Sequence, residues 1–367
     1  MKIFIQTPDG FDNDLNNHTI SHLSYFDFLS KKRSMSDFIR NGISGSSLYA
    51  KLLNPFYFHK LYLDKDKSYF NYLHSFKERF VDYDVIVMNP GVDLVHPEFL
   101  KKHFSNSLKC LHFIDDPHAS YSYGFPYAWA FDCATYISPS YNEYLNMSEI
   151  LELVGFKFTK WVPHCITNID RPKYTINELE NQLLSRNNKA LYVGAFYTGK
   201  NSRLIKLKNK LKNNLDIYGR YPLSGYSFAL LSTYKGYPSL YKVRKISNRL
   251  REKYYSQYSI GLNMHLSDPA RETGNARLYE LAYRGLAQVV DNGQYSMLEK
   301  IFEPENEILT YSNVTECCEQ IKRLQLNKDL RIKIAINGYK RAIEKYNYQD
   351  RLLNLIEWFK SIRENNF

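Results

Sequence analysis

The 367-residue chain is 44% hydrophobic and carries a formal net charge of +11, so it can bury a large core in about two domains, and it suits an anionic partner: nucleic acid, an acidic membrane face or a phosphorylated substrate. No stretch approaches the ~20 uninterrupted apolar residues of a membrane helix, and the opening Met1-Lys-Ile-Phe-Ile5 turns polar too early for a secretory signal, so a cytoplasmic protein is expected. Cys110, Cys133, Cys165, Cys317 and Cys318 form an odd, scattered set without C-x-x-C spacing, which indicates neither a disulfide framework nor a zinc site and reads as packing residues.

Short apolar runs alternate with helical segments along the chain. The first series is Lys2–Gln6, Asp84–Met88, Cys110–Ile114, Ala134–Ser138 and Phe158–Val162. A polar stretch from Thr167 to Asn188 follows, then a second series at Ala190–Gly194, Leu215–Tyr218, Ile260–Asn263, Ala287–Val290 and Glu307–Thr310. This βαβ rhythm predicts buried parallel strands in two doubly wound α/β domains, residues 1–170 and 171–345, with a C-terminal helix over 346–367 packed across their junction. The segment Tyr221–Gly236, rich in Ser, Gly, Tyr and Pro, reads as a long functional loop.

The most informative stretch runs from Arg271 to Gly285. At helical spacing Leu278, Leu281 and Ala282 share one face, while Arg277, Glu280 and Arg284 share the other. The loop Thr273-Gly274-Asn275 leaves backbone N–H groups at the positive end of this helix, where a diphosphate is stabilised. Arg277 adds a bidentate cation, and Glu280 is placed to accept hydrogen bonds from a ribose. The competing reading is a surface helix laced by ion pairs.

Three further stretches fit one pattern. Leu191-Tyr-Val-Gly194-Ala-Phe leads to Asn201-Ser-Arg203 and then to Asp216-Ile-Tyr-Gly219; Gly261-Leu-Asn-Met-His265 precedes the helix Asn275-Ala-Arg277-Leu-Tyr-Glu280-Leu-Ala-Tyr-Arg-Gly285; Phe113-Ile-Asp115-Asp116-Pro117, Tyr136-Ile-Ser-Pro-Ser140 and Val162-Pro-His164 occupy the first half in order. Over residues 80–310 the chain resembles GT-B glycosyltransferases, especially the CgeB-like branch of the glycosyl transferases group 1 superfamily. The resemblance implies an α/β GT-B fold with two Rossmann-like domains facing a cleft. It implies hexosyl or related transfer from a nucleotide-sugar to an acceptor hydroxyl, in surface glycan synthesis (lipopolysaccharide, capsule or a related glycoconjugate), with no metal and no further cofactor. Glu280 would hold the donor ribose, Arg277, Gly274 and Asn275 the diphosphate, and Gly194 the cleft floor, with Arg203 a second cation at the diphosphate. Glu272 and Glu280 form the E-x7-E of retaining enzymes, although the surroundings of Glu272 depart from that pattern, leaving the stereochemistry open.

Transfer also requires an acceptor-side base. Asp115, Asp116 and His118 follow an apolar strand at the end where open α/β sheets bind ligands, although Asp115-Asp-Pro also reads as a turn. His265 at its strand end is a candidate for the diphosphate or the donor sugar. Asp12-Asn-Asp14 and Asp64-Lys-Asp66 match a metal-binding D-x-D but lack flanking apolar strands. The expected partners are a nucleotide-sugar, a glycan, lipid-linked or phosphorylated acceptor, and the anionic inner face of the cell membrane. A sugar-nucleotide epimerase would share the donor site. Nucleic-acid binding requires a continuous basic face with stacking aromatics, which the sequence does not show.

Overall fold

The computed structural model describes residues 1–7, 13–15, 18–24, 59–88, 95–113, 124–141, 144–166, 174–195, 198–220, 248–266, 273–293 and 296–366. Two compact units divide the chain. One is Met1–Val162 with Leu352–Phe367, and the other is Pro163–Arg351.

In the first unit the described strands are β1 (Lys2–Thr7), β2 (Asn13–Leu15), β3 (His18–Ser24), β4 (Val85–Met88), β5 (Leu108–Phe113), β6 (Cys133–Tyr136) and β7 (Phe158–Trp161), ordered β2-β3-β1-β4-β5-β6-β7. All neighbours pair in parallel except β2 with β3. β4 and β6 are buried at every residue, whereas the edge strand β7 is half-buried throughout, as expected when helices cover both faces of a parallel sheet. Helix α1 (Lys67–Phe80) places Tyr69, Leu73, Phe76 and Phe80 at i, i+4, i+7 and i+11, one buried stripe that packs on Phe4 of β1. Asp66 caps α1 by accepting from the Tyr69 N–H at 2.8 Å, which gives the second D-x-D aspartate a structural task. Helices α2 (Pro97–His103) and α3 (Met147–Leu153) add to the described cover. Strands β2 and β3 have no counterpart in the predicted elements. His18-Thr-Ile-Ser-His-Leu-Ser24 lacks an apolar run, and its place is set by six parallel registers with β1.

The second unit begins with α4 (Ile176–Ser185), inside the stretch read as polar connection; a capping box between Thr175 and Glu178 starts it, and Leu179 and Leu183 bury it. Then come β8 (Asn187–Ala195), α5 (Thr198–Leu211), β9 (Leu215–Arg220), α6 (Asn248–Gln257), β10 (Tyr258–Asn263), α7 (Ala276–Tyr283), β11 (Ala287–Asp291), β12 (Leu309–Tyr311), α8 (Val314–Leu326) and α9 (Lys328–Lys345). A last helix, α10 (Tyr348–Asn366), has its residues from Leu352 onward in the first unit. The sheet order is β12-β11-β10-β8-β9, wholly parallel. From β8 the chain goes outward to β9, then returns to the other side of β8 and builds β10, β11 and β12. The strand order therefore reverses between β8 and β10, and the carboxyl ends of these strands are where an open α/β sheet binds its ligand.

Candidate functional site

Helix α7 brings its polar residues to that reversal. Gly274 holds φ +130°, a conformation side chains rarely adopt, and a Cβ there would meet Leu278 at 2.9 Å. Asn275 caps the helix, its Oδ1 accepting from the Leu278 N–H at 3.2 Å, and its Nδ2 lies 3.4 Å from the Met264 carbonyl, so the cap is tied to the end of β10. Leu278, Leu281 and Ala282 are buried, while Arg277 and Glu280 keep partial exposure. Gly285, at φ +65°, ends the helix two residues before β11 begins at Ala287.

Arg277 reaches the carboxyl ends of both strands. Its Nη1 donates to Asn263 Oδ1 at 3.3 Å, and its guanidinium lies 4.8 Å from the centre of the Tyr192 ring. A Cβ on residue 194 would stand 2.0 Å from Arg277 Nη2, so glycine is what admits the cation over the end of β8. Burial disfavours the charge, but Tyr192, Tyr255, Glu280 and Asp291 outweigh it and raise the Arg277 pKa above the ordinary guanidinium value. Glu280 Oε1 is 3.8 Å from Arg251 Nη2 of α6, and Arg284 pairs with Glu252. These ion pairs link two helices, where the competing surface reading expected them within one.

Arg203 is not placed as the sequence suggested. Nη1 donates to Asp291 Oδ2 at 2.8 Å and Nη2 to the His265 carbonyl at 2.6 Å, so this buried guanidinium is spent on clamping the ends of β10 and β11. Asp291 accepts in addition from the His265 N–H at 2.8 and 2.9 Å and lies 2.8 Å from His265 Nδ1. Burial alone would raise its pKa, yet His265 and Arg203 hold the carboxyl below the ordinary range. A cavity of about 450 Å³ is lined by Arg203 and Asp291 with Lys206, Lys210, Asn292 and Ser312.

The structure thus brings together Gly194, Arg203, His265, Gly274, Asn275, Arg277 and Glu280. Asp115, Asp116, His118 and Glu272 lie outside the described residues, as do Asp12 and the loop from Tyr221 to Gly236. His164 lies 6.2 Å, ring to ring, from Tyr279. Tyr192, Asn263 and Asp291 were missed. Asp291 ends an apolar strand at its carboxyl end, a signal available in the sequence. Among the described residues, no group of His, Cys, Asp and Glu could hold a metal ion, and no helix is long and apolar enough to cross a membrane.

A family model described as glycosyl transferase-like matches residues 203–357. No curated protein matches the chain. Among solved structures, HepE from Anabaena in complex with UDP-glucose is similar over 98% of this chain and 100% of that one, with 12% identity and a TM-score of 0.60. Sucrose-phosphate synthase from Thermosynechococcus elongatus is similar over 100% and 89%, with 12% identity and a TM-score of 0.56. The N-terminal domain of Candida albicans trehalose-6-phosphate phosphatase aligns over 94% and 84%, with 10% identity and a TM-score of 0.59. At these identities the likeness shows the fold, which is GT-B with two Rossmann-like domains.

Proposed function

We propose that this chain is a glycosyltransferase that moves a sugar from a nucleoside-diphosphate donor to an acceptor hydroxyl. The observation that carries the reading is the placement of Arg277 and Glu280 on α7 at the reversal between β8 and β10, with Gly194 admitting the cation. Arg277 stabilises the diphosphate, and the α7 N-terminus adds its dipole. Glu280, one turn on, receives the ribose hydroxyls and exchanges its 3.8 Å contact with Arg251 for them. The glycosyl transferase-like match and the GT-B fold support the same reading, and one relative of that fold binds UDP-glucose.

In transfer, the acceptor oxygen forms a bond to the anomeric carbon while the bond from that carbon to the diphosphate oxygen breaks. Cations stabilise the departing charge without a metal in this proposal. Asp115, Asp116 and His118 are assigned to orienting or deprotonating the acceptor, with Glu272 beside the donor sugar. The acceptor is a lipid-linked or phosphorylated precursor of a surface glycan, and the basic charge serves a peripheral position on the anionic inner membrane face.

Thermal shift with UDP, GDP, CDP, TDP and ADP identifies the nucleotide, because a ligand of the folded state raises stability by mass action. Glu280→Ala and Arg277→Ala should each weaken the preferred nucleotide tenfold to a hundredfold, as for a charged hydrogen bond worth about 1.5–3 kcal/mol. Parent-like affinity in both variants would refute the assignment.

A further inference from the structure

Two buried polar atoms at the end of β10 have hydrogen-bonding capacity that no described residue uses. Asn263 is 0% exposed; its Oδ1 accepts from the Met264 N–H at 2.9 Å and from Arg277 Nη1 at 3.3 Å, which identifies Nδ2 as the amide nitrogen left without a partner. His265 is 1% exposed; its Nδ1 lies against Asp291 and its Nε2 has no partner. Buried polar groups are as a rule satisfied, so two exceptions two residues apart, at the carboxyl end of a strand beside the sheet reversal, point to a ligand.

The chemistry of the pair narrows that ligand. The Asp291 carboxylate can only accept, so His265 Nδ1, 2.8 Å from it, carries a hydrogen, and Nε2 is the ring position left unused. Asn263 Nδ2 can only donate. A hydroxyl can accept from Asn263 Nδ2 and can either accept from or donate to Nε2, so it meets both atoms whether or not Nε2 carries a hydrogen, whereas an ionised phosphate oxygen, which only accepts, meets Nε2 only when that nitrogen carries one.

We infer that Asn263 and His265 form a subsite for a hydroxyl group of the sugar carried by the donor nucleotide, and that Asp291, clamped by Arg203, is the positioning residue that fixes the imidazole for it. The inference rests on the donor site proposed above and adds which part of the donor these residues read. Nucleotide contacts belong to Arg277 and Glu280, and sugar contacts to the end of β10.

Calorimetric titration with the matched pairs UDP and UDP-glucose, GDP and GDP-mannose, TDP and TDP-glucose, and ADP and ADP-glucose separates the two. In the pair that the parent binds, His265→Phe should lower affinity for the sugar nucleotide about tenfold while affinity for the free diphosphate stays within about threefold. His265→Gln, which keeps a polar atom in the ring's place, should restore part of the loss, and Asp291→Asn should reproduce it. If His265→Phe does not fold, the Gln and Asn variants carry the same comparison. An unchanged ratio of sugar-nucleotide to nucleotide affinity overturns the inference, as does equal weakening of both ligands, which would place His265 at the diphosphate. A parent that binds none of UDP, GDP, CDP, TDP and ADP refutes the donor site itself, and the subsite with it.

Discussion

Gly194 is defined by the atom it lacks. Its neighbours in β8, Tyr192 and Val193, are buried and hold the backbone in place, so a methyl group added at 194 can be accommodated only if the Arg277 guanidinium moves from a position 2.0 Å away. Gly194→Ala should therefore lower nucleotide affinity by about tenfold, the lower end of a lost charged hydrogen bond, while Tm changes little, because a flexible side chain rather than the core absorbs the clash. Calorimetric titration beside a melting curve checks both halves of that expectation. Arg277 and Glu280 were legible in the sequence because they lie three residues apart on one helix, where spacing alone sets the face. The link between His265 and Asp291 was not. These residues are 26 apart and meet because β10 and β11 pair in parallel, with Asn263 opposite Val290.

Helix ends decide how the second unit is assembled. Asn313 starts α8 by accepting from the N–H groups of Thr315 and Glu316, both at 3.0 Å. Asn327 closes α8 and starts α9, where it accepts from the Leu330 N–H at 2.9 Å. Replacing either by Ala removes the cap of a helix whose inner face packs in the core, at an expected cost of about 0.5–2 kcal/mol each, to be read from denaturant unfolding at constant m-value. For Asn327, which does not line the cavity beside Arg203 and Asp291, adding ligand should not rescue the difference. The strand series was legible because buried parallel strands require continuous apolar runs. β3 escaped because only Ile20 of its described side chains is buried, and its pairing with β1 supplies the order that its composition withholds. Helix α4 escaped because its polar residues outnumber Leu179 and Leu183, although Thr175 and Glu178 marked its start.

At the scale of the whole molecule the two units should respond differently to acid. Burial, together with His59, pushes His96 down to about 4, and burial pushes His112 down to about 4. Burial also lowers His18 and His103, each with help from neighbouring positive charges. All four belong to the first unit. A histidine whose folded pKa lies below its unfolded value of 6.5 takes up a proton more readily when unfolded, so its contribution to stability is complete above pH 6.5 and is lost as pH falls toward 4. In the second unit Asp291 is shifted down by His265 and Arg203 against the effect of burial, and its contribution is lost only as pH falls through and below the ordinary carboxylate range. Acidification from pH 7.5 to 5 should therefore destabilise Met1–Val162 before Pro163–Arg351, each kcal/mol lost lowering Tm by about 2–4 °C for a domain of this size. Hydrogen exchange read peptide by peptide at the two pH values locates the effect. Combining His112→Gln with His96→Asn, which keeps an acceptor at the start of α2, should flatten the pH dependence of the first unit. Equal acceleration of exchange in both units, or an unaltered slope in the double variant, would show that these histidines do not set the acid response.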